Sequence, residues 1–281
     1  MEVDPLNRNL QETAREIRCN VIRAIGHLGV GHIGGCLSVV ELLTVLYFEA
    51  MENLDPKDPK KAGRDRFICS KGHAGPTVYA ALANRGYFDK DLLLTLNQGG
   101  TNLPSHCDRK RTPGVDMTTG SLGQGFSCAV GAALGAKLAQ DGARVYTLVG
   151  DGECQEGQIW EAAMFAAAKK LDNLIGFVDV NRLQIDGTVA EVNDVEPLAD
   201  KWAAFGWNVI DVEDGNDVEQ VSAAVKQAKT YRGTGRPTMV ILNTVKGKGV
   251  KWIEELGAGN HNTNVNEEQA AAAIREIRGE D

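Results

Sequence analysis

The sequence predicts an α/β fold, a doubly wound and mostly parallel sheet with helices on both faces, and three observations carry that prediction. Apolar runs of strand length alternate along the chain with stretches of helical spacing. One alternation closes a unit: the apolar run 144–149 ends in Gly150-Asp151-Gly152, residues 159–170 have helical spacing and end in Lys169 and Lys170, and residues 174–180 are apolar again. That is a βαβ unit, whose crossover returns the chain parallel to its start. Finally, 281 residues with 43% hydrophobic content can bury the core that a sheet covered on both faces requires. No composition break marks a linker, so residues 1–281 are read as one domain.

Taken in order, Leu10, Ala14, Ile17, Val21, Ile25 and Leu28 recur at steps of three and four, which predicts a helix from about Asn9 that stops at Gly29. His27, near its end, is read as a partner for the helix dipole. Gly29-Val30-Gly31-His32-Ile33-Gly34 is a literal GxGxxG, but a dinucleotide fingerprint needs a strand before it and here a helix comes first. The glycines are read instead as a loop where backbone must come close to something. Ser38-Val39-Val40-Glu41 fits a capping box for a helix through about Met51. Residues 66–70 form a short strand, and Lys71-Gly72-His73-Ala74-Gly75 puts a histidine at its carboxyl end, where α/β sheets place their sites.

Residues 80–86 belong to another helix, and 99–120 form a long loop with Pro104, His106 and Pro113, of a length that usually carries function. Gly120-Ser121-Leu122-Gly123-Gln124-Gly125 opens a small-residue helix, 126–140, able to pack closely against backbone of this chain or of another subunit. Beyond the central unit, 198–205 and 218–230 read as helices, and 208–212 and 237–243 as strands. Lys246-Gly247-Lys248-Gly249 reads as a flexible basic loop with no Walker sequence, His261 as part of a polar coil, and Asn266-Glu267-Glu268-Gln269 as the cap of a terminal helix to about Arg278.

In this order of elements Asp151 and Asn181, thirty residues apart, fall just past the carboxyl ends of two strands of one sheet. Both are hard-oxygen ligands suited to Mg²⁺ or Ca²⁺, and Gly152 lets backbone N–H groups approach an anion. The residues therefore point to a diphosphate-plus-metal site. A net charge of −8 argues against nucleic acid or an anionic membrane as a partner. Six cysteines show neither CxxC pairing nor zinc-finger spacing and read as reduced thiols. Met1-Glu2-Val3-Asp4-Pro5 has no apolar leader core and no run reaches membrane-spanning length, so a soluble, cytoplasmic protein is expected.

Three segments together resemble one family. Ser70-Lys71-Gly72-His73, the run from Pro113-Gly114-Val115-Asp116 through Thr118-Thr119-Gly120-Ser121-Leu122-Gly123-Gln124-Gly125, and Gly150-Asp151-Gly152-Glu153-Cys154-Gln155-Glu156-Gly157 with Asn181 are similar to the motifs of transketolases. The likeness runs nearly end to end but covers only the family's N-terminal, diphosphate-binding domain. It implies the thiamine diphosphate-binding fold and transfer of a two-carbon ketol unit from a ketose phosphate to an aldose phosphate.

By motif, the resemblance implies that Asp151, Asn181 and the carbonyl of Leu183 hold Mg²⁺ or Ca²⁺. Gly152, His73 and His261 would contact the diphosphate, with Gly150 and Glu153 in the same cofactor-binding segment. Gly120 and Leu122 would support the cofactor's rings, and Ile185 would pack on them. His32, His73, His106 and His261 would line the sugar channel as proton donors or acceptors, and imidazole suits that work because its pKa lies near neutrality. Glu156 would lie at a subunit interface, against the partner's carboxylate. The activating glutamate of such enzymes belongs to the pyrimidine-binding domain, which this chain lacks. The resemblance therefore implies a separate C-terminal subunit, in an α2β2 heterotetramer. Ile33, Cys107 and Asn262 depart from the residues usual beside the channel histidines, which leaves a non-standard ketose or branched sugar phosphate open as substrate. The alternatives are a 1-deoxyxylulose-5-phosphate synthase-like or other thiamine diphosphate enzyme subunit, and a non-catalytic assembly partner that binds cofactor.

Overall fold

The computed structural model describes residues 9–280. The expectation for Met1 to Pro5 falls outside the described residues. The chain begins with α1 (Leu10–Leu28), capped by the Asn9 side chain and ended by Gly29 in the left-handed region. Next come β1 (Val30–Gly31), α2 (Ile33–Leu37) and α3 (Val40–Val45), which continues as a π-helical turn through Ala50. The capping box expected at Ser38 is absent, because Ser38 Oγ bonds the Asp179 carboxylate and Glu41 bonds Arg18. Both side chains are committed to tertiary partners in the core, which overrides the local signal.

β2 (Arg66–Cys69) leads through a 3-10 turn, Gly72–Ala74, into α4 (Gly75–Arg85). After the long loop come α5 (Gln124–Ala139), β3 (Val145–Gly150), a 3-10 turn over Gly152–Gln155, α6 (Gly157–Ala168) and β4 (Leu174–Val180). A small hairpin, β5 (Leu183–Gln184) and β6 (Gly187–Thr188), precedes α7 (Val189–Asn193) and α8 (Leu198–Ala204). The chain closes with β7 (Asn208–Val212), α9 (Val218–Thr230), β8 (Thr238–Asn243), α10 (Lys251–Glu255), β9 (Thr263–Asn264) and α11 (Glu267–Arg278). His27 bonds Glu267, the first residue of α11, at 3.1 Å.

The main sheet has the order β2-β3-β4-β8-β7 and every pairing is parallel. Such strands are buried on both faces, which is why they read as continuous apolar runs. Alternate residues feed two cores: Tyr146, Leu148, Ile175 and Phe177 pack with α1, α3, α4 and α9, while Val145, Val149 and Val178 pack with α5, α6 and α8. Trp202, Trp207 and Phe126 fill the second core with rings 5.1–5.9 Å apart. All carboxyl ends of the sheet point the same way, so the loops after β2, β3, β4 and β8 meet at one edge. β1 and β9 pair antiparallel and bring His32 and His261 to that edge.

Candidate active site

The loops at that edge enclose a cavity of about 400 Å³. Every residue singled out from the sequence lines it: His32, His73, His106 and His261, Gly120 and Leu122, Gly150 to Glu153, Glu156, Asn181, Leu183 and Ile185. Backbone must come very close to build it. Gly125 enters α5 against the end of β2, and a Cβ there would lie 2.6 Å from Ser70 Cα.

The floor is electrostatic. Asp179, fully buried in β4, accepts from Lys71 Nζ (2.5 Å), Ser38 Oγ (2.8 Å), Asn181 Nδ2 (2.8 Å) and Thr244 Oγ1 (2.5 Å). Burial alone raises a carboxyl, but Lys71 and these donors outweigh it and hold Asp179 below its ordinary value. Conversely burial lowers an ammonium, and Asp179 more than restores Lys71. The carboxylate can only accept, so it fixes the Asn181 amide nitrogen and turns Oδ1 toward the Leu183 amide, 3.2 Å away.

Asp151 sits beside this network with Oδ1 on the Gly152 amide (2.8 Å) and Oδ2 on the Arg182 amide (2.5 Å). Burial, with the charge of Asp179, pushes its carboxyl up to about 6. Glu153 is buried with its oxygens taken by Ser70, Gly123 and Gly150, so its carboxylate ties the β3 turn to the start of α5. Among the described residues no three His, Cys, Asp or Glu side chains converge as a metal cluster. A cation here would be held by one carboxylate with amide and carbonyl oxygens.

The four histidines form one cluster, with His32 centred 5.5–5.6 Å from each of the other three and His73 5.0 Å from His261. Burial lowers all four pKa values. Nearby Lys246 and His32 add to burial at His261, which falls to about 3. Neutral imidazoles can both donate and accept a proton.

Lys246 corrects the sequence reading. It is buried rather than part of a flexible loop, donating to the Leu183 carbonyl (2.9 Å) and lying 3.1 Å from His261 Nδ1. Burial and Lys71 lower it to about 8. Gly35, Lys71, Gln155, Gln184 and Asp186 also line the cavity and went unassigned in the sequence. Two signals were available: a lone aspartate inside the apolar run 174–180, which demands a buried partner, and a lysine just past the end of β8, beside β4 in the sheet.

Residues 9–281 match the family model described as the transketolase, thiamine diphosphate binding domain. The chain belongs to the transketolase family. It is 53% identical over 272 residues to a 6-deoxy-6-sulfo-D-fructose transketolase subunit from Clostridium sp. (strain MSTE9), covering 97% of each chain. It is 40% identical to an apulose-4-phosphate transketolase subunit from Actinobacillus succinogenes, covering 96% of each. The solved transketolase from Leishmania mexicana superposes with a TM-score of 0.87 at 32% identity, over 97% of this chain and 41% of that one. This transketolase chain thus spans nearly the full length of the subunit relatives and about two fifths of the solved enzyme.

Proposed function

We propose that the chain is the N-terminal subunit of a split transketolase, a single cofactor-binding domain that works with a separately encoded C-terminal subunit in an α2β2 assembly. The observation that carries this reading is the meeting of Asp151, Asn181, Leu183 and four neutral imidazoles in one cavity at the carboxyl ends of the strands. Its length, matching relatives named as subunits, supports the separate partner.

Charge supports a divalent metal with the diphosphate. Asp151, Glu153, Glu156 and Asp186 line the cavity with two ammonium groups, Lys246 and Lys71, the latter already paired with the buried Asp179, so a diphosphate entering alone would meet net repulsion. A Mg²⁺ or Ca²⁺ ion held by the Asp151 carboxylate, Asn181 Oδ1 and the Leu183 carbonyl would offset both sets of negative charge. Lys246, His73, His261 and the Gly152 amide would face the diphosphate, with Gly120, Leu122 and Ile185 along the rings. Bound thiamine diphosphate supplies the electron sink for cleaving and forming the carbon–carbon bond. This chain's histidines would hold the donor's hydroxyl and carbonyl groups and move protons between them and the sugar oxygens.

The substrate we propose is a ketose with a terminal anion, from which a two-carbon ketol passes to an aldose phosphate. The terminal group is a sulfonate in the name of one relative and a phosphate in that of another. Ile33, Cys107 and Asn262, beside the channel histidines, fit such an unusual donor. The test of the site is calorimetry: Asp151→Ala in the assembled enzyme should abolish Mg²⁺-dependent thiamine diphosphate binding, and unchanged affinity would contradict the site.

A further inference from the structure

The loop that carries Lys246 is gripped from behind. Arg18 of α1 donates from Nε to the Lys248 carbonyl (3.0 Å) and from Nη2 to Glu41 Oε1 of α3 (2.5 Å). Asn216, in the turn after β7, donates to Glu41 Oε2 (3.3 Å) and to the Ser38 carbonyl (3.0 Å), and its own Oδ1 accepts from the Val245 amide (2.8 Å). The contacts close a ring that holds the loop at Val245 and Lys248, on either side of Lys246. Between these two points the Gly247 amide donates to the Gly34 carbonyl (3.0 Å).

The fit is tight. Gly249 is in the left-handed region, and a Cβ there would lie 2.9 Å from Arg18 Cδ and Nε, so the glycine makes room for the guanidinium. Arg18 and Glu41 are 8% and 5% exposed, and a buried ion pair is weak evidence of stability because desolvating both charges is costly. Here the pair directs its hydrogen bonds to the backbone of a distant segment. The ring is anchored at the Ser38 carbonyl on the side away from the loop.

We propose that Arg18, Glu41 and Asn216 are positioning residues for cofactor binding, setting the loop 244–249 so that the Lys246 ammonium faces the diphosphate. The proposal rests on the cofactor reading above, and the test separates the two. Thiamine diphosphate with Mg²⁺ is titrated by calorimetry into the assembled enzyme bearing Arg18→Gln, Asn216→Ala, Lys246→Ala, and each of the first two combined with the third. In the cofactor-free enzyme, hydrogen exchange is followed at the Val245 and Gly247 amides.

Arg18→Gln and Asn216→Ala should each weaken binding about tenfold, the lower range for removing a hydrogen-bonding support behind a ligand. Neither should weaken it further once Lys246 is gone, and both should speed exchange at the two amides. A purely structural role would instead add its full effect in the Lys246→Ala background, and that result, or wild-type affinity of both single variants, overturns the proposal. If Lys246→Ala itself binds normally, the role given to Lys246 fails, and the positioning proposal falls with it. Faster exchange at Val245 and Gly247 would then report only a mechanical grip. Asn216 is half-buried, so Asn216→Ala keeps the test available should Arg18→Gln fail to fold.

Discussion

His261 shows how single residues are tuned in this site. Buried, 3.1 Å from the Lys246 ammonium and packed among other imidazoles, it gains a proton only with difficulty and falls to about 3. The unfolded chain takes up protons near 6.5, while the folded cluster does not. The imidazoles therefore contribute stability that is present above about 6.5 and declines as pH falls below it. NMR titration of the cofactor-free protein should find the rings of His32, His73, His106 and His261 all titrating below the ordinary histidine value. A ring titrating at or above its ordinary value would contradict that assignment. The imidazoles could be named from the sequence because the family resemblance assigns all four positions, His73 within a quoted motif. Asp179 and Lys246 carried weaker signals, because their roles come from partners 108 residues and 15 residues away, Lys71 and His261.

At the scale of elements, the strands were legible because a parallel sheet buries both faces and leaves unbroken apolar runs. β4 and β7 fall on the bounds the pattern predicts. The failures lie where tertiary bonds override local chemistry, as at Ser38, or where a glycine-rich stretch conceals a buried side chain, as at Lys246. The junction of β2 with α5 is a backbone-to-backbone approach at the site. Gly125→Ala should cost about 1–3 kcal/mol in urea unfolding, the usual range for overpacking, because a Cβ only 2.6 Å from Ser70 Cα forces backbone rather than a flexible side chain to move. A variant as stable as the wild type would show that the junction is looser than its geometry.

Over the whole molecule, one surface is unlike the rest. α5 and α6 both start at the rim of the cavity, and their outer positions include exposed Leu138, Met164 and Phe165. Helices apolar on both sides belong in an interior. Ile185 is 68% exposed at the cavity mouth, and Glu156 lies exposed on its rim. These features fit a chain whose cavity and apolar helices are covered by another subunit. The sequence shows the motifs, but the apolar surface of α5 and α6 depends on which of their residues the fold leaves exposed.

The most direct test is ketol transfer measured with this chain alone and with its C-terminal subunit, in thiamine diphosphate and Mg²⁺. The chain alone should give no turnover, and mixing the two subunits should give turnover. Robust turnover without the partner would contradict the split assembly.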